Sequence, residues 1–467
     1  MTRSDAIRKA EGYFDEGRFL ADLARRVAFP TESQNPERRA ALGEYLEKEM
    51  QVALERLGFL CRVLPNPDPK GGPFLEAVRR EAGNTHTLFS YGHGDVIRGQ
   101  DAQWRSGLAP WKLVQEGDKL FGRGTADNKG QHTVNIGAME AVLAARGGRL
   151  GFDVVLLIET GEEVGSPGLG AVCLAHRQDW HADLFIASDG PRVHPDRPTL
   201  YGGSRGAFNF DLTVDLREGA HHSGNWGGLL ADPGVILAHG IASVVSSSGE
   251  ILMREWRPEF LPESVKTALA DCAPGGGEDG PEIDAWWGEP GFSAAEKVYG
   301  WCSFDVLAFK TGNPEAPVNA IPGRATAHCQ IRFVVGTDPK EFLPALRRHF
   351  DRLGLERIQI APAEKGYFPA TRLDPDHPAA RWAMDSVAGS TNARPAWLPN
   401  LGGSLPNDVF ADTLGLPTIW VPHSYGACSQ HAPDEHMLAP VARQGLAIMA
   451  GLLWDLGEPG SPFHSKA

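Results

Sequence analysis

Leu156-Leu157-Ile158-Glu159-Thr160-Gly161-Glu162-Glu163-Val164-Gly165 reads as the end of a buried strand emptying into a glycine-flanked loop with two adjacent carboxylates. The apolar run from Asp153 to Ile158 has the length and composition of an interior strand. In open α/β sheets, ligands bind outside the carboxyl ends of the strands. Neighbouring carboxylates there repel unless cations or a shared proton compensate, so one can ligate a metal while the other handles a proton. For a lone Glu-Glu pair, a solvated acidic turn is the simpler reading, and the rest of the chain has to decide.

Two more strands deliver similar groups. Thr85 to Tyr91 reads as a strand and runs into Gly92-His93-Gly94-Asp95; Leu184 to Ser188 reads as a strand and ends in Asp189-Gly190-Pro191. Alone, a His-x-Asp turn is more simply a satisfied histidine than a ligand. Between these strands lies Leu120-Phe121-Gly122-Arg123-Gly124-Thr125-Ala126-Asp127-Asn128-Lys129-Gly130, which leads into a helix. It has the look of a dinucleotide loop, but Asp127 stands where the third glycine would be, and a carboxylate there suits a cation rather than a pyrophosphate. His93, Asp127, Glu163 and Asp189 together make an oxygen-rich, imidazole-containing set suited to zinc, manganese or cobalt.

At 467 residues, 42% hydrophobic and 22% charged, the chain has the composition of a soluble globule of two or three domains. A net charge of −14 argues against nucleic acid or an anionic membrane as partner. The six cysteines lack C-x-x-C spacing and read as scattered thiols. With no signal-like or membrane-spanning run, a cytoplasmic location is expected. Helices are expected over residues 5–28 and from Asn35-Pro36 to Gly58. From about residue 203 the pattern changes: Phe208, Phe210, Leu212, Val214 and Leu216 alternate with polar residues, as in a half-exposed antiparallel strand. A second such strand, Ala325 to Phe333, presents Thr326, His328, Gln330 and Arg332 on its polar side, and residues 273–292 read as a surface loop. Near residue 372 the strand–helix pattern returns, and the chain ends in an apolar helix over 439–455 and a polar tail. The expected fold is α/β: a catalytic domain with a mostly parallel sheet, residues 1–203 and 372–467, interrupted by an α+β domain with an antiparallel sheet, residues 204–371.

The motifs His93-Gly94-Asp95, Gly122 to Gly130, Glu162-Glu163, Ser188-Asp189-Gly190, His222-Ser223-Gly224, Asn319-Ala320-Ile321-Pro322 and His431-Ala432-Pro433-Asp434-Glu435 resemble, in order, those of the co-catalytic zinc peptidases. That family includes aminoacylase, carboxypeptidase G, succinyl-diaminopimelate desuccinylase and the carnosinase-like dipeptidases. Gly403-Ser404-Leu405-Pro406 and the long insert bring the chain nearer the dipeptidase branch. The resemblance implies two divalent cations, zinc first and manganese or cobalt as alternatives. His93 and Asp189 would hold one, Glu163 and His431 the other, with Asp127 between them. Glu162 would be the general base, and Asp95 would fix the tautomer of His93. The peptide after Asp127 is typically cis in such proteins. His436 competes with His431, and the following Pro433 favours His431. The insert would be a lid that also forms a homodimer, His222 (with His221 as its neighbour) reaching the partner's site as an oxyanion donor. Arg332, Asn319, Gly403 and Ser404 would touch a substrate carrying a carboxylate, a dipeptide or an N-acyl amino acid, the second including intermediates of amino-acid biosynthesis.

Two other readings compete. Gly202-Gly203-Ser204-Arg205-Gly206 matches a serine-hydrolase nucleophile elbow, but that motif needs a following helix and a strand pattern follows instead. A non-catalytic binding homologue is expected to have lost ligands or base, and here all are present.

Overall fold

The computed structural model describes residues 1–274, 281–363 and 367–463. The strand Asp153–Glu159 sits inside an eight-stranded sheet whose order is Leu60–Leu64, Phe74–Arg79, Asp153–Glu159, Thr87–His93, Leu184–Ala187, Thr418–Trp420, Thr199–Tyr201, Ala396–Leu398. Its central pairings are parallel: Asp153–Glu159 with Thr87–His93, that strand with Leu184–Ala187, and that with Thr418–Trp420. Antiparallel pairs occur at the Leu60–Leu64 end and between Thr418–Trp420 and Thr199–Tyr201. Both faces of the sheet are covered, which explains the continuous apolar runs. Val154, Leu156 and Ile158 enter one core, with the helices Arg3–Asp15, Lys129–Ala145 and Ala439–Leu456. Val155 and Leu157 enter the other, with the helix Leu169–Trp180 and the π-helical turn Val409–Thr413.

The second sheet is antiparallel throughout, in the order Ser303–Thr311, Arg324–Phe333, Gly206–Asp215, Ile358–Pro362. Phe208, Phe210, Leu212 and Val214 face a third core under the helices Pro233–Ala242 and Phe342–Arg352, so the alternation seen in the sequence is the alternation of a one-sided sheet. One stretch of the insert leaves this core. Leu261, Val265, Leu269, Ala295 and Trp301 pack into the second core of the large sheet, and the helix Glu263–Leu269 lies against Ala396–Leu398.

The first expected helix is two, Arg3–Asp15 and Arg18–Val27, because Gly17 adopts a left-handed conformation (φ 78°) that breaks the run. The second begins as expected, with the Asn35 side chain capping Glu37 N–H and Pro36 in the first turn, and includes a π-helical turn at Leu46–Met50. Residues 275–280 of the expected surface loop and 464–467 of the tail lie outside the described residues. All six cysteines are unpaired thiols. Among the described residues no helix is long and apolar enough to cross a membrane.

Candidate active site

Because Thr87–His93, Asp153–Glu159 and Leu184–Ala187 are adjacent parallel strands, their carboxyl ends emerge side by side, with His93 level with Glu159 in the ladder. His93, the Glu162-Glu163 turn and Asp189 are therefore neighbours. Asp127 joins them from the loop before the helix Lys129–Ala145, and His431 from a loop after Thr418–Trp420. His93 Nε2 lies 2.9 Å from Asp127 Oδ1 and 3.6 Å from Asp189 Oδ2. His431 Nε2 lies 3.1 Å from Asp127 Oδ2 and 3.1 Å from Glu163 Oε2. The ligand atoms thus form two triads, His93–Asp127–Asp189 and Asp127–Glu163–His431, sharing Asp127. The Asp127–Asn128 peptide is cis.

A cation fits each triad on the chemistry of the donors. His93 Nε2 is buried and faces two carboxylates, Asp127 and Asp189, a cluster whose negative charge must be neutralised by a proton on the ring or by a cation between the three groups. Burial pushes the Glu163 carboxyl up to about 7, with Asp127 adding to the rise. Contacts with Asp127 and Glu163 drive His431 up to about 11. Burial opposes a charge on His93, but Asp127, Asp189 and Asp95 outweigh it and raise the imidazole well above its usual range. Protons thus stand in for cations, and cation binding would displace them. Glu162, half-buried beside the triads, is raised well above the carboxylate range, chiefly by burial and then by Glu163, Asp189 and Asp127.

The supporting shell differs in one respect from expectation. Asp95 spends its carboxylate on the Glu162-Glu163 turn, accepting from Glu162 N–H (3.2 Å) and Glu163 N–H (3.1 Å). The nearer partner of His93 Nδ1 is the Asp95 backbone carbonyl at 3.1 Å, with the carboxylate at 3.5 Å. Asp95 therefore orients the acid pair as much as the histidine. His436 is buried and bonded to the Tyr425 hydroxyl (2.6 Å), away from both triads.

Three features were not read from the sequence as parts of the site. Glu435 accepts the backbone N–H of Gly124, Ala126 and Asp127, each at 3.0 Å, and pairs with Arg123 at 2.7 Å, fixing the turn that aims Asp127. Gln430 donates to Asp127 Oδ2 at 2.6 Å. Val298 and Tyr299, from the stretch of the insert that packs on the large sheet, line the same cavity of about 360 Å³ as Asp127, Glu162, Asp189 and His431. Glu435 had a signal, its place in the His431 to Glu435 motif, and Gln430 had one in being next to His431; Val298 and Tyr299 had none, since their positions follow only from long-range packing.

Gly403 and Ser404 also line this cavity. Arg332 reaches Ser404 across the two sheets, Nη1 donating to Oγ at 2.9 Å. Asn319 and His222 are exposed and stand apart from the cavity, at the short antiparallel pairing of His221–His222 with Ala320–Ile321, where the Asn319 carbonyl accepts from Ser223 N–H at 2.9 Å. His221 is exposed and packs edge-on to Trp226. Ser204 is fully buried, its Oγ accepting from Leu405 N–H at 3.3 Å, which removes it as a nucleophile.

Residues 89–455 match the model of peptidase family M20/M25/M40. The cysteinylglycine-S-conjugate dipeptidase of Corynebacterium striatum is 31% identical over 400 residues, 84% of this chain and 85% of that protein. The human Beta-Ala-His dipeptidase is 30% identical over 284 residues, 56% of this chain and 55% of its own. The dipeptidase Dug1p of Saccharomyces cerevisiae superposes with a TM-score of 0.77 at 20% identity, over 100% of this chain and 99% of that one. A family match running from the strand that ends in His93 to the last helix, on a fold with two carboxylate–imidazole triads, makes this chain a member of peptidase family M20/M25/M40.

Proposed function

We propose that the chain is a dipeptidase that uses two divalent cations, with the catalytic domain formed by residues 1–203 and 372–467 and residues 204–371 as its lid. The observation that carries this reading is the sharing of Asp127 between two triads, with Glu162 alongside on the wall of the same cavity. His93 and Asp189 would hold one cation, Glu163 and His431 the other, and Asp127 both. Zinc is the first choice for an N/O donor set of this kind, with manganese and cobalt as alternatives. The cations would supply Lewis acidity, making water a usable nucleophile near neutral pH and polarising the scissile carbonyl.

The chain's own groups do the rest. Glu162, held by the turn that Asp95 pins, takes a proton from the attacking water; its raised affinity for protons suits that role and the later return of the proton to the leaving amine. Three carboxylates against two dications leave a net positive field that would keep Glu162 from being permanently protonated. Arg332, with Ser404 beside it, binds the substrate carboxylate. His222, on its exposed two-residue strand, would donate to the developing oxyanion of a partner subunit in a homodimer joined through the lid. The six unpaired cysteines favour a reducing, cytoplasmic setting.

The test is metal content of the purified protein, with hydrolysis of a panel of dipeptides and N-acyl amino acids before and after chelation. Two equivalents of metal and chelator-sensitive cleavage of dipeptides are expected. Cleavage confined to N-acyl amino acids would move the assignment to a deacylase, and activity indifferent to chelator would sink the reading.

A further inference from the structure

The Gly202 to Gly206 motif loses its serine to the core but places Arg205 directly behind the loop Gly402–Ser404 that lines the cavity. Arg205 Nε donates to the Gly402 carbonyl at 2.9 Å, and its own carbonyl accepts from Ser404 Oγ at 2.8 Å. Ser404 Oγ in turn accepts from Arg332 Nη1, and Arg332 Nε donates to Gln330 Oε1 at 2.9 Å. The cavity-lining loop Gly402–Ser404 is therefore held between two guanidinium groups.

Both groups have only neutral partners. Among the described residues neither has a carboxylate within 4.0 Å. Asp305 acts on both from farther off, and one of its oxygens accepts from Ser303 Oγ. Burial, and then repulsion from Arg332, bring Arg205 down to about 10, and burial lowers Arg332 as well. Elsewhere this chain pairs two buried arginines with acids, Arg26 with Glu49 at 3.3 Å and Arg123 with Glu435 at 2.7 Å, and meets a third, Arg192, with the Pro422 and Pro195 carbonyls and Gln444. Arg205 and Arg332 differ from Arg192 in that each lies beside a second guanidinium. Two adjacent, part-buried cations without counter-ions repel one another and lose solvation, a cost that a bound anion relieves.

A simple dipeptide brings one free carboxylate to this wall, enough for one fork. We propose that Arg205 and Arg332 together form a two-carboxylate recognition site, Arg332 taking the terminal carboxylate and Arg205 an acidic side chain, so that the enzyme favours dipeptides ending in aspartate or glutamate. This rests on the dipeptidase reading of the same site. Arg205 is the specificity-determining member, because its removal leaves the fork for the terminal carboxylate in place.

The experiment compares kcat/KM for Ala-Glu against Ala-Gln, and Ala-Asp against Ala-Asn, in the wild type, Arg205→Gln and Arg205→Lys, with far-UV circular dichroism and metal content as folding controls. The wild type should favour the acidic member of each pair by about tenfold or more, the worth of one charged hydrogen bond. Arg205→Gln should bring the ratio close to one, mainly through KM, and Arg205→Lys should leave part of the preference. Should Arg205→Gln fail to fold, the wild-type ratio, the lysine variant and inhibition by L-glutamate against L-glutamine carry the test. A wild-type ratio near one, or one untouched by either substitution, overturns the proposal while leaving the dipeptidase reading intact. Failure to cleave any dipeptide overturns that reading, and this proposal with it.

Discussion

The two halves of the active site are built on different terms. The triads come from the ends of adjacent parallel strands and one clamped turn: His93, Asp127 and Asp189 are buried, and their positions follow from a sheet register and a few backbone hydrogen bonds. The groups proposed to meet substrate come from elsewhere. Arg332 belongs to the second sheet and meets Ser404 through a hydrogen bond from one sheet to the other, and His222 and Asn319 are exposed at a short two-stranded pairing apart from the cavity. On the proposed reading, chemistry would reside where the backbone is held by the sheet, and recognition where separate parts of the protein have to come together.

The largest expected effect tests the rigid half. Glu162→Gln keeps shape and hydrogen bonding but cannot accept the proton, so kcat should fall by about 10²–10⁴ with metal content unchanged. Near-normal turnover would take Glu162 out of the mechanism. His222→Ala tests the other half: kcat should fall by about 10²–10³ with no change in metal content or Tm. Mixing this variant with Glu162→Gln under subunit exchange should restore part of the activity if His222 acts across a dimer; no recovery in exchanged dimers would argue for action within one chain.

Glu435→Gln probes the clamp. Arg123 would be left as an uncompensated buried charge, so unfolding free energy should drop by about 3–5 kcal/mol. Metal affinity should weaken by about 10–100-fold, as when an orienting group behind a ligand is lost. Calorimetric metal titration would show it. Affinity should also rise with pH, since in the cation-free site His431 holds its proton up to about 11 and a cation must displace it. Proton release on binding, measured in buffers of different ionisation enthalpy, checks the sign; proton uptake would contradict it. The smallest effect is Arg332→Lys, expected to raise KM about tenfold with little change in kcat, because an ammonium cannot replace the fork.

The same division governs what could be read from the sequence. Strand ends leading to His93, Glu163 and Asp189 were legible because a buried strand announces itself as an apolar run, and the residues after it emerge at the carboxyl end of the sheet. Alternation from Phe208 to Val214 gave away the one-sided second sheet for the same local reason. The roles of Asp95 and Glu435 were less accessible: a carboxylate that accepts backbone N–H groups looks, in sequence, like any other acid in a glycine-rich turn. Val298 and Tyr299 could not be read at all. They reach the cavity because a stretch of the insert turns back onto the large sheet, a choice made by packing among residues far apart in the chain.

The Glu435 clamp also bears on engineering. His431 and Glu435 lie on one short loop, and Glu435 holds the turn that aims Asp127, so residues more than 300 positions apart behave as a single component. A graft of this centre onto another scaffold would have to carry both loops together; moving the five candidate ligands alone would transplant donor atoms without the part that sets their angle.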